Sequence, residues 1–131
     1  MKTIIAGSRD IDDMKLLESA IAESKMDITI VVCGEARGVD WLGKEWAISH
    51  NIPVHSFPAN WSLHGKSAGF IRNTEMAENA DALIAVWDGE SRGTKMMIDI
   101  AKKKGLKVFV KNILKEEADS NNKLFRTTDM E

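Results

Sequence analysis

Apolar positions along this chain fall into two kinds of run that alternate. Lys2–Ala6, Ile28–Cys33, Pro53–Phe57, Asp81–Trp87 and Leu106–Val110 are short, nearly continuous blocks of apolar and β-branched residues. Such blocks predict strands covered on both faces rather than strands with one wet side. Between them, apolar residues recur every three or four positions: Ile11, Met14, Leu17 and Ile21, then Val39, Leu42, Trp46 and Ala47, then Met97, Ile100 and Ala101. That spacing predicts helices. The pattern places one helix after the N-cap candidates Asp10-Ile-Asp-Asp13, one running to about His50, one over 66–79, and one ending at the C′ glycine Gly105. Residues 58–65 read as a loop. Strand and helix in strict alternation imply an α/β fold, a five-stranded, mainly parallel sheet sandwiched between two helical layers.

Length and composition fit one domain. The chain has 131 residues, 44% hydrophobic and 29% charged, a globular balance with enough length to bury a core without disulfides. We assign residues 1–111 to the domain and 112–131 to a polar tail, frayed or docking, polar and turn-rich apart from residues such as Ile113, Leu114, Leu124 and Phe125. The first apolar run stops at Gly7, too short for a secretory leader, and no stretch reaches the ~20 residues of a membrane span. The expected location is therefore the cytoplasm. The single Cys33 excludes a disulfide framework and a multi-cysteine zinc site and is expected as a buried strand thiol. His50, His55 and His64 show no ligand spacing, so no metal or cofactor is expected.

In an open sheet of this type, ligands bind beyond the carboxyl ends of the strands, where the strand order reverses. With order 3-2-1-4-5 that point lies between the first and fourth strands. The loops leaving them are Gly7-Ser8-Arg9-Asp10 and Asp88-Gly89-Glu90-Ser91-Arg92-Gly93-Thr94, with Gly34-Glu-Ala-Arg37-Gly38-Val-Asp40 next door. One glycine-rich turn means little, because glycine suits turns for backbone reasons. Three at neighbouring strand ends, each leading into a helix, suggest a cradle for an anion.

Arginine strengthens the expectation. Of five arginines, against thirteen lysines, Arg9, Arg37 and Arg92 fall one in each loop and Arg72 precedes the fourth strand. The guanidinium fork matches phosphate or carboxylate. Asp10, Asp40 and Asp88 are candidates for ribose hydroxyls, with Asp10 equally a helix cap. Trp61, on a loop, is the candidate for stacking on a base, whereas Trp87 is expected in the core. Trp41 and Trp46 cannot share one helix face, leaving one for a partner subunit. The formal charge of −2 weighs against a nucleic-acid coat. No loop is a Walker or dinucleotide fingerprint, and no nucleophile elbow accompanies the histidines.

Taken in order, Gly7-Ser-Arg-Asp10, Gly34-x-Ala-Arg-Gly-Val-Asp40, Pro58-Ala-x-Trp61, His64-Gly65, Ala68-Gly-x-Ile-Arg-Asn73, Met76, Ala80-Asp81 and Gly93-Thr94 resemble the small YspA-type members of the SLOG superfamily over about residues 2–110. Phe70 departs from the pattern, where proline is common. The resemblance implies a Rossmann-like fold that binds a nucleotide or nucleotide-derived ligand, either as a sensor or to sequester it. It also brings alternatives. LOG-type relatives cleave the glycosidic bond of nucleoside monophosphates and are commonly dimeric, and DprA-type relatives handle single-stranded DNA. Against the LOG pattern, Arg72 matches an arginine and Gly93-Thr94 a Gly-Thr pair, but the catalytic glutamate falls on Met97. Arg72, Asp88 and Glu90 remain candidates for catalysis, either glycosidic cleavage or deoxyribosyl transfer. The expected ligand set is Gly7, Ser8, Arg9, Asp10, Gly34, Arg37, Gly38, Asp40, Trp61, Arg72, Asn73, Asp88, Gly89, Ser91, Arg92, Gly93 and Thr94. The expected partners are a nucleotide-derived small molecule and a second copy of the chain, with neither nucleic acid nor membrane.

Overall fold

A computed structural model describes residues 1–113. Five strands, β1 (Lys2–Gly7), β2 (Ile30–Cys33), β3 (Val54–Ser56), β4 (Ala82–Trp87) and β5 (Lys107–Asn112), form one sheet in the order β3-β2-β1-β4-β5. Every pairing is parallel, with Ile4 opposite Val32 on one side and Leu83 on the other. Helices α1 (Met14–Ser24) and α2 (Val39–Ser49) cover one face, and α4 (Ala68–Glu78) and α5 (Arg92–Lys103) cover the other. This is the Rossmann-like three-layer arrangement expected from the alternation of runs.

The apolar strands are continuous because successive side chains feed two separate cores. Ile5, Val31, Ile84 and Val86 pack with Leu17, Ala20, Leu42 and Ala47 of α1 and α2. Their sequence neighbours Ile4, Val32, Leu83 and Ala85 pack with Met76, Ala77, Met97 and Ala101 of α4 and α5. Gly43 permits the closest approach of α2 to the sheet, since a Cβ there would lie 2.6 Å from Ile5 Cγ2. Cys33 is buried at the end of β2, and its surroundings push the thiol up to about 11, chiefly through desolvation.

Of the cap candidates over 10–13, Asp13 caps α1 by accepting from the Lys15 N–H at 2.9 Å, and Ile11 is buried ahead of the helix. One local expectation changes. The segment read as a loop over 58–65 contains a short helix, α3 (Trp61–His64), which runs through a 3-10 turn at Gly65–Ser67 into α4. Asn60 starts it by accepting from the Leu63 N–H at 3.0 Å. At the other end, β5 continues to Asn112 and Ile113 is buried in the first core; the rest of the tail lies outside the described residues. No helix among the described residues is long and apolar enough to cross a membrane.

Candidate functional site

The strand order reverses between β1 and β4, and the loops leaving the sheet there are tied together. The Ser8 N–H donates to the Val86 carbonyl at 3.1 Å, and the Asp88 N–H donates to the buried Ser8 hydroxyl at 3.0 Å. The Ser8 carbonyl accepts from Ile11 and from Val39 at the start of α2. Gly38, at φ +82°, lets the β2 loop lie directly on Ser8 and Arg9, where any Cβ would collide with their backbone. The three loops therefore meet, as their predicted positions at the strand ends required.

Beside this junction opens a cleft of about 620 Å3, within the size range of small-molecule sites. Gly7 and Arg9 reach it from β1, Gly34, Arg37 and Asp40 from β2 and α2, and Ser91, Gly93 and Thr94 from the start of α5. Trp61 of α3 and Arg72 and Asn73 of α4 complete the expected residues found there. Lys66, Phe70 and Met96 on the wall and Met76 in the floor lie outside the expected ligand set. Phe70 is the recoverable case: it departs from the family pattern and is a large apolar side chain left more than half exposed at the start of α4.

Several candidates do other work. Asp88 Oδ1 accepts from the N–H groups of Glu90 and Ser91, each at 2.8 Å. Burial alone would raise its carboxyl, but these donors and Ser8 outweigh it and hold Asp88 below its ordinary value. Gly89, at φ +85°, and Glu90 complete this turn away from the cleft lining. Asp10 is exposed, 4.0 Å from Arg37 Nη2. Arg92 lies beyond the cleft and lines a separate, shallower depression with Phe70, Lys95, Met96, Asp99, Ile100 and Lys103. Trp87 packs in the second core and donates its indole N–H to the Ser91 carbonyl at 3.0 Å, which fixes where α5 begins. Trp46 packs against the first core, while Trp41 is exposed beneath the ammonium of Lys44.

Polar groups at the base of the cleft are held rigidly. Arg72 donates through Nη1 to the Gly34 carbonyl at 2.6 Å and through Nε to Asn73 Oδ1 at 2.8 Å. Gly34 makes this possible, since a Cβ there would crowd Arg72 Nη1 and Asp40 Oδ2, each at 2.9 Å. Asp40 is only 6% exposed. Desolvation pushes its carboxyl up to about 6, against the opposing pull of Arg72, the N–H groups of Gly7 and Ala36, and Arg9. Ser91 Oγ caps α5 by accepting from the Thr94 N–H and lies 3.1 Å from Thr94 Oγ1.

These loops belong to a recognisable lineage. The YspA, cpYpsA-related SLOG family matches residues 1–64. Gene 61 protein of Mycobacterium phage D29 is 34% identical over 117 residues, 82% of this chain and 94% of that protein. The chain belongs to the YspA, cpYpsA-related SLOG family. No solved structure matches it. Within this SLOG chain, the position that resembles the LOG catalytic glutamate is Met97, which backs the cleft lining but is 2% exposed among apolar neighbours of the second core. Asp88 and Glu90 line no part of the cleft, so the carboxylates available there are Asp40 and Glu35. Glu35 is committed to Lys44 at 3.0 Å.

Proposed function

We propose that this protein binds a nucleotide or nucleotide-derived small molecule in the cleft between the β1, β2 and β4 loops, as a sensor or to sequester the ligand. Membership of a SLOG family and the Rossmann-like frame support a nucleotide-related role. The observation that carries the reading is one cavity in which four cations, Arg9, Arg37, Lys66 and Arg72, surround the start of α5 and face an apolar wall of Trp61, Phe70 and Met96. Cations beside a helix N-terminus, of which the Ser91 cap occupies the Thr94 N–H, suit phosphate, and an aromatic and thioether wall suits a planar base. A net charge of −2 with cations gathered in one cleft favours a small anion over a long polyanion.

Thermal unfolding against a panel of nucleotides tests the reading. A ligand at a hundredfold excess over its Kd stabilises the folded state by ~2.7 kcal/mol, a rise in Tm of several degrees for a domain of this size. Arg9→Ala should reduce the rise. A panel of mono-, di- and dinucleotides that leaves Tm unmoved would overturn the proposal. Native mass spectrometry of the purified protein reports copurified ligand and subunit number together.

A further inference from the structure

We infer that the ligand enters sugar first, with a hydroxyl-bearing ribose on Asp40 and Asn73 at the base of the cleft and its phosphate left at the mouth; this rests on the nucleotide reading above. Three buried polar side chains line the cleft, Asp40, Asn73 and Thr94, at 6%, 5% and 4% exposed, and the Thr94 hydroxyl is paired with Ser91 Oγ. Among the described residues, Asp40 takes part in no ion pair within 4.0 Å. Arg72 is the nearest opposing charge and lowers the carboxyl without forming a contact pair, two of its N–H groups being directed to Gly34 and Asn73. A phosphate driven to this depth would meet an acceptor-only carboxylate that forms no ion pair of its own.

Asn73 fixes the complementary half. The Arg72 Nε–H donates to its amide oxygen, which orients the amide and leaves Nδ2 as a donor with no partner among the described residues. The base of the cleft thus offers a carboxylate acceptor and an amide donor. A sugar hydroxyl satisfies both at once, donating to Asp40 and accepting from Asn73. Phosphate oxygens lack the proton for the first bond and a carbonyl lacks it too. Arg9, Arg37 and Lys66 stand at the wall and rim, where a phosphate keeps part of its hydration.

The test measures affinities of ribonucleoside 5′-monophosphates and their 2′-deoxy counterparts, together with ribose 5-phosphate and 2-deoxyribose 5-phosphate so that the base need not be known. At pH 7.5 the ribo form should bind about ten- to a hundredfold more tightly, the worth of one hydrogen bond to a charged group. Asp40→Asn should shrink that ratio towards one, and Asn73→Ala should reduce it. Arg9→Ala should weaken both members of a pair equally. Lowering the pH to 5 should also narrow the ratio, since Asp40 titrates near 6. Equal binding of ribo and deoxy forms overturns this inference while leaving nucleotide binding intact. So does a ratio preserved in a folded Asp40→Asn protein. Failure of every compound, sugar phosphates included, overturns both.

Discussion

Replacing Asp40 by asparagine should make the protein more stable at neutral pH. The carboxyl titrates near 3.8 in an unfolded chain and near 6 in the folded one. Between those values the folded state binds more protons, so stability falls as pH rises through that window and remains lowered above it. A displacement of roughly two pKa units at 1.36 kcal/mol each gives a neutral-pH cost of ~3 kcal/mol, an upper bound for what the substitution recovers. Asparagine does not titrate and keeps one of the two acceptor oxygens that face the N–H groups of Gly7 and Ala36, so the gain stays below that bound. The gain should therefore be full at pH 7.5 and vanish below about pH 4. Urea unfolding of both proteins at pH 7.5 and pH 4, compared at equal m-values, measures it. Only the difference between the two proteins is informative, because Glu23, Glu35 and Asp88 are depressed and contribute the opposite trend. A variant less stable than the parent at pH 7.5, or a difference that ignores pH, would refute the assignment of Asp40 as a carboxylate held at a cost. A destabilising group retained at the centre of a cleft is what a functional site requires.

Other expectations follow from the same geometry. Arg92→Ala should change nucleotide affinity less than twofold, whereas Arg9→Ala should weaken it by ~1 kcal/mol or more, the net worth of a hydrogen bond to a charged group; titration calorimetry separates them. Met97→Glu should not create a glycosidase, but should destabilise the fold by ~3 kcal/mol or more by burying an unpaired carboxylate, read by denaturant unfolding and by assay for released base. Gly38→Ala should cost ~1–3 kcal/mol through strain at positive φ and collision with the Ser8–Arg9 backbone. Ser8→Ala should cost ~1–3 kcal/mol by leaving the Asp88 N–H without its acceptor, visible as a lowered urea midpoint with the m-value unchanged.

Strand order and the meeting of the loops were legible in the sequence because both follow from backbone-scale regularities. Continuous apolar runs such as Ile30–Cys33 and Ala82–Trp87 require cover on both sides, and covered parallel sheets bind ligands at a known edge. Side-chain direction was not legible. Arg92, Gly93 and Thr94 are adjacent in sequence, but each helical step turns by about 100°, so Gly93 and Thr94 enter the cleft while Arg92 turns away. Asp88 and Asp10 share a residue type with Asp40 and differ only in what surrounds them. Asp88 is absorbed by its own turn, Asp10 stays in solvent, and Asp40 is enclosed by Gly7, Gly34 and α2. Lys66, Phe70 and Met96 escaped notice because they lie on the 3-10 turn, α4 and α5, away from the strand-end loops on which a ligand was expected.

The 2.6 Å bond between Arg72 and the Gly34 carbonyl joins a helix on one side of the sheet to a loop that feeds a helix on the other. It works as a crossbar at the back of the recess, so the two sides cannot spread like a hinged jaw. The shape that receives the guest exists before the guest arrives, which spares the association a reorganisation penalty.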